Sequence, residues 1–224
     1  ENQIEKFINN WFQAPIDKQR KTSKKCLDLL NKPENSSAKE LAQTPLLLTF
    51  ICLVYDRAQK LPNNRSNLYR RALNILLEEW AAEKRVVDHQ EPIYQGLHPD
   101  LENVLLSNIA HQGFCRDRII FTKDELVDSI TNFLADTLEA PRHLNGKAVL
   151  HAIQVQQGIL VERAENAYSF SHLTLQEYLT ARYISRKWER LELAVKNHLM
   201  DNRWREVFLL ISGLLDSSED MLLL

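Results

Sequence analysis

The chain has 224 residues, and its 44% hydrophobic content is enough to core one large domain or two small ones. With 28 Lys+Arg against 30 Asp+Glu, the formal net charge of -2 argues against both a polyanion-binding protein and a disordered one. Five glycines and seven prolines leave little for the turns of a sandwich or barrel, so a mainly α chain is expected. Ile4, Phe7, Ile8, Trp11 and Phe12 recur at three-and-four spacing and predict an amphipathic helix over 3–12, closed by Pro15. A basic, polar helix is expected over 18–30, and a short one over 38–42 behind Ser37. Thr44 before Pro45 reads as an N-cap with proline at the first helical position, opening a buried helix that runs to Arg57. Pro62 and Asn63-Asn64 break the chain. A long helix over 66–84 then sets Leu68, Ala72, Ile75, Leu76 and Trp80 on one face, completing a helical bundle over 1–86.

The stretch 87–99 has no period, and Asp88, Pro92, Gly96 and Pro99 mark it as a connection and a domain boundary. A helix over 100–114 ends near Gly113. Ile119-Ile120-Phe121 reads as a strand leading into Thr122-Lys123-Asp124-Glu125, a capping box. The helix it opens carries Leu126, Val127, Ile130, Phe133 and Leu134, and Pro141 separates it from another over 144–157 that Gly158 stops. Ile159-Leu160-Val161-Glu162-Arg163 and 167–171, in which Tyr168 and Phe170 alternate with small residues, flank the polar Ala164-Glu165-Asn166 and predict a β-hairpin. Helix, strand, two helices and hairpin make a winged helix-turn-helix domain with a small β-hairpin wing. Thr174-Leu175-Gln176-Glu177 reads as a second capping box, opening a helix that presents Leu175, Tyr178, Leu179 and Tyr183. Helical patterns over 189–200 and 203–215 read as the start of a helical array. The chain starts at Glu1 and stops at Leu222-Leu223-Leu224 close behind that pattern, so a longer parent is expected.

Motifs for catalysis are missing from these residues. A P-loop needs glycines, a Lys and a Ser or Thr, whereas Gly146-Lys147 is followed by Ala148 and has Pro141 where the first glycine belongs. There is no HExxH, paired CxxC or GxSxG, and His111 with Cys115 supplies two of the four ligands structural zinc needs, so no catalytic and no metal residue is assigned. Asp124 and Glu125 are first-turn residues favoured by the helix dipole rather than an acid/base pair. Cys26, Cys52 and Cys115 have no disulfide-framework spacing and fit a reducing, cytoplasmic setting. The most apolar run, 46–55, has half of the roughly 20 residues a membrane helix needs, so no membrane segment is expected. A DNA-binding winged helix requires Lys and Arg on its recognition helix and wing. Here the candidate helix carries Lys147 and His151, and the wing carries Glu162, Arg163 and Glu165, which is poor electrostatics for DNA.

The segment 168–181, with Phe170-Ser171-His172-Leu173-Thr174-Leu175-Gln176-Glu177-Tyr178-Leu179 at its centre, closely resembles the FSHLTFQEYLAA signature of NACHT-family signalling NTPases. Leu41-Ala42-Gln43-Thr44-Pro45-Leu46-Leu47-Leu48 and Trp204-Arg205-Glu206-Val207 resemble two further helices of that family, in the same order and spacing. The resemblance spans nearly the whole chain and implies helical domain 1 over 1–86, a winged-helix domain over 87–186 and the start of helical domain 2 over 187–224. It further implies the regulatory lid side of a STAND-type switch. In that family ADP locks a closed monomer, and exchange for ATP releases an open, oligomerising form that serves defence and cell-death signalling. The partners implied are the P-loop core of the same polypeptide and, on activation, further copies of the chain. ADP or ATP belongs to the full-length parent, with no tight binding expected of these residues alone. The family's winged-helix histidine touches the ADP β-phosphate, and the matching residue is His172. Its helix-opening proline packs by the adenine, and the matching residue is Pro45.

The chemistry of His172 is coherent with that role, because it precedes a helix start where free N–H groups and the dipole favour an anion. An imidazolium there adds a charge-assisted bond of roughly 1.5–3 kcal/mol, about ten- to a hundredfold in affinity. The alternative is that His172 bonds a neighbouring carbonyl at a strand-to-helix corner. Pro45 at a first turn needs no ligand to explain it. Two other functions stand beside the switch: a DNA-binding winged-helix regulator, and an interaction scaffold without nucleotide control.

Overall fold

Amphipathic spacing in the first third of the chain produces α1 (Asn2–Trp11), α2 (Pro15–Arg20), α3 (Thr22–Leu30), α4 (Ser36–Leu41), α5 (Pro45–Ala58) and α6 (Arg65–Lys84). A computed structural model describes residues 2–62, 64–84, 97–137, 145–154 and 158–215. It divides into two compact units, Glu1–Ile75 and Leu76–Leu224, with the cut inside α6. In the first unit Ile8 of α1, Phe12 just after it, Cys26 and Leu30 of α3, and Ile51 and Tyr55 of α5 are buried. Phe12 meets Tyr55 edge-on at 6.1 Å, and Phe50 meets Tyr69 at 5.6 Å. Burial pushes the Cys26 thiol up to about 12, and that of Cys52 higher still, which leaves both unreactive.

The single basic helix expected over 18–30 is two helices. Lys21 adopts a left-handed φ of 54° between α2 and α3, and this re-phases the chain so that Thr22, Cys26 and Leu30 enter the core while the lysines stay out. Along α6, Leu68 and Ala72 are buried as their spacing predicts, joined by Tyr69, Leu73 and Leu77. The Trp80 side chain and the connection at 85–96 lie outside the described residues.

The second unit continues with α7 (Pro99–Cys115), β1 (Phe121–Thr122), α8 (Lys123–Asp136), α9 (Gly146–Ala152), β2 (Leu160–Ala164), β3 (Ala167–Phe170), α10 (Leu173–Ser185), α11 (Trp188–His198) and α12 (Arg205–Ser212). The sheet is antiparallel in the order β1-β3-β2, with Phe121 opposite Tyr168 and Leu160 opposite Phe170. The strand expected at 119–121 begins two residues later, because Ile119 and Ile120 are exposed and Phe121 is the first residue to enter the core. The capping box forms: Thr122 Oγ1 accepts from the Glu125 N–H at 3.3 Å, and Glu125 Oε2 accepts from the Thr122 N–H at 2.9 Å. Arg118 grips both carboxylate oxygens of Glu125 at 2.7 Å, and with the Thr122 amide this holds the carboxyl down at about 2.

The helix expected over 144–157 is described from Gly146, with the Asn145 side chain accepting from the Ala148 N–H at 2.8 Å. Pro141, Leu144 and 155–157 lie outside the described residues, and Gly158 takes the left-handed φ of +61° that suits a helix stop. Gly146 lets α9 sit on α8: a Cβ there would lie 2.4 Å from Thr131 Oγ1 and 2.5 Å from the Val127 carbonyl.

The second capping box does not form. Helix α10 starts at Leu173 with His172 as its N-cap, so Thr174 is already in the first turn. Helix α10 packs chiefly on α7 and α12. Trp204, fully buried, meets Phe114 of α7 edge-on at 5.1 Å and stacks on His198 of α11 at 4.0 Å. A 3-10 turn, Asn202–Trp204, leads into α12, and residues 216–224 lie outside the described residues.

Candidate functional site

Strand β3 ends at Phe170, and the Ser171 N–H donates to the Ile159 carbonyl at 2.8 Å, which stops the strand and turns the chain. The next residue, His172, keeps extended dihedrals of φ -138° and ψ 140° and serves as the N-cap. Its carbonyl accepts from the Leu175 N–H at 3.0 Å, while its imidazole is exposed and makes no capping bond. The alternative of a histidine tied to a neighbouring carbonyl therefore finds no such bond among the described contacts. The amides of Leu173 and Thr174 come too early in α10 for intrahelical acceptors. Thr174 Oγ1 is shielded from solvent and unpartnered. The carbonyl a helical threonine ordinarily uses, four residues back at Phe170, already accepts from Ser169 Oγ at 2.9 Å and from Arg163 Nη2 at 3.5 Å.

A residue absent from the sequence-level site holds this corner together. From β2, Arg163 donates through Nε to Ser169 Oγ at 2.9 Å and through Nη2 to the Ser171 carbonyl at 2.8 Å, besides its contact with Phe170. The sequence offered only an arginine in an otherwise acidic wing, and strand alternation alone does not say which backbone it reaches.

Most of the signature segment is architecture. Phe170, Leu175, Tyr178 and Leu179 are buried core. Gln176, 1% exposed, donates its amide to the Arg118 carbonyl at 2.9 Å and the Ala110 carbonyl at 3.5 Å, closing the chain that follows α7. Gly113 leaves room for that approach, since a Cβ there would stand 2.4 Å from Phe121 Cζ and 3.0 Å from Gln176 Nε2.

Pro45 opens α5 in the first unit with its ring exposed. Thr44 takes the N-cap position but makes no side-chain cap bond. Among the described residues no group of three or more His, Cys, Asp and Glu could hold a metal ion. His111 Nε2 and Cys115 Sγ lie 3.3 Å apart as a pair. Among the described residues no helix is long and apolar enough to cross a membrane. On α9, Lys147 and His151 are exposed.

Helix α7, strand β1, helices α8 and α9 and the β2–β3 wing are the parts of a winged helix-turn-helix in their usual order. Residues 65–184 match the family of winged helix-turn-helix domains C-terminal to NACHT, and the chain belongs to that family. A comparison with curated proteins finds no match.

Proposed function

We propose that these residues are the regulatory lid of a NACHT-type signalling NTPase, coupling the identity of the bound nucleotide to closed and open states. One observation carries the reading: His172, in the family-defining domain, stands exposed at the N-cap of α10 with its imidazole uncommitted. The donor set fits a phosphate. An imidazole and two first-turn amides offer N–H groups, and the helix dipole adds positive potential. ADP bound there would be held by His172 and by the amides of Leu173 and Thr174; an adenine-side role for Pro45, in the first unit, rests on the family resemblance alone. The bound nucleotide supplies the phosphate charge, and the P-loop core elsewhere in the parent supplies the remaining contacts and any hydrolysis.

The switch follows from linkage, because a ligand biases two states only through contacts that differ between them. A histidine that reaches the β-phosphate in the closed form and leaves it in the open form is such a contact. Opening then permits oligomerisation in a cytoplasmic setting. The test is the nucleotide released on denaturing the full-length parent, counted by chromatography for wild type and His172→Ala. Stoichiometric ADP in wild type and about ten- to a hundredfold weaker retention in the variant are expected. Equal ADP in both, with unchanged basal signalling, sinks the assignment of His172.

A further inference from the structure

We propose that Arg163 is a positioning residue for His172, one that holds the β3–α10 corner in its anion-accepting shape; the inference rests on the nucleotide reading above. Arg163 sits on β2, eight residues before Ser171 and out of the signature segment. Its guanidinium reaches across the wing to three acceptors in a row: Ser169 Oγ at 2.9 Å, the Phe170 carbonyl at 3.5 Å and the Ser171 carbonyl at 2.8 Å. Those are the last acceptors before His172. The planar fork is suited to several acceptors at once, which a lysine's single ammonium cannot span in the same way.

Two consequences follow. First, the Ser171 peptide is held from both ends, by Arg163 on its carbonyl and by the Ile159 carbonyl on its N–H, so the dihedrals that place His172 at the N-cap are constrained on the upstream side. Second, a bare carbonyl oxygen beside an incoming phosphate would repel it, and here both carbonyls just before His172, those of Phe170 and Ser171, accept from Arg163. All three acceptors are neutral, and among the described ion pairs no carboxylate neutralises Arg163. The Arg163 guanidinium therefore carries its charge without a described carboxylate partner, bonded to the residue before His172.

Positioning through His172 differs from a direct phosphate contact in a double-mutant cycle. ADP dissociation is measured on the full-length parent for wild type, Arg163→Gln, His172→Ala and the double variant, with thermal unfolding as the folding control. About tenfold faster ADP loss is expected for Arg163→Gln in the wild-type background, and a markedly smaller change in the His172→Ala background, where only the bared carbonyls and the lost charge remain to act. Arg163→Lys, which retains the charge but not the fork, is expected to fall between wild type and Arg163→Gln and serves as the test variant if Arg163→Gln does not fold. Equal effects in both backgrounds overturn the positioning role and make Arg163 an independent contact or a general stabiliser. Full retention by Arg163→Gln while His172→Ala loses ADP overturns this inference and leaves the nucleotide reading standing. A wild-type parent without nucleotide overturns both.

Discussion

His111 stacks on Tyr183 with ring centroids 4.3 Å apart, and the Arg190 guanidinium lies 3.7 Å over that same tyrosine ring. Burial, reinforced by the charges of Arg190 and His198, holds the His111 imidazole down to about 4 from an ordinary 6.5. The folded chain then leaves His111 neutral at pH values where the unfolded chain protonates it. Stability accordingly falls as pH drops from 6.5 toward 4 and is independent of this group above 6.5. Glu125, held at about 2, acts in a lower window: its contribution is present above its ordinary 4.5 and is lost as pH falls toward 2. Unfolding free energies from urea titrations at pH 6.5 and 5 should therefore differ for wild type by an amount that His111→Gln removes, on the order of 1–2 kcal/mol. An unchanged difference in the variant would mean that other groups set the slope. From sequence, His111 and Cys115 were legible as an i, i+4 pair short of a metal site. The ring and the two cations that set the histidine's chemistry come from α10 and α11, too far along the chain for spacing to reveal.

The two capping motifs show how local signals succeed and fail at the scale of an element. Thr122 leaves β1 with strand dihedrals (φ -80°, ψ 157°) and is free to cap, so Thr-x-x-Glu becomes a box. At Thr174 the same pattern is overruled, because Ser171 is pinned to Ile159 and the extended residue falls at His172 instead. Thr122→Ala should cost about 1 kcal/mol in a denaturant titration, and the same change at Thr174 should remove no capping bond. Because the Thr174 hydroxyl is buried without a hydrogen-bond partner, Thr174→Val is expected to be neutral or mildly stabilising. Helix α9 depends on close approach as well as on its Asn145 cap. Gly146→Ala would drive a methyl against the Thr131 hydroxyl and the Val127 carbonyl, and a loss of about 1–3 kcal/mol is expected in the same titration. A melt superimposable on wild type would show that α8 and α9 separate without strain.

At the scale of the whole molecule, the chain divides into its two compact units within α6, and the family match begins at residue 65, where that helix starts. On the proposed regulatory reading, the 224-residue chain on its own should release no phosphate from ATP above a buffer control and bind ADP weakly at best. Turnover by the purified chain would contradict the regulatory reading. The sequence by itself determined the mainly α class, the helix-strand-helix-helix-hairpin order and the His172 signature. Each depends on short-range periodicity, on turn residues, or on a motif compact enough to be read along the chain. Tertiary structure alone decided the break at Lys21, the late start of β1, the shift of the α10 cap from Thr174 to His172, and the grip of Arg163 on the corner. Those features are settled by which backbone groups distant segments leave unpaired, and by which side chains reach the core first.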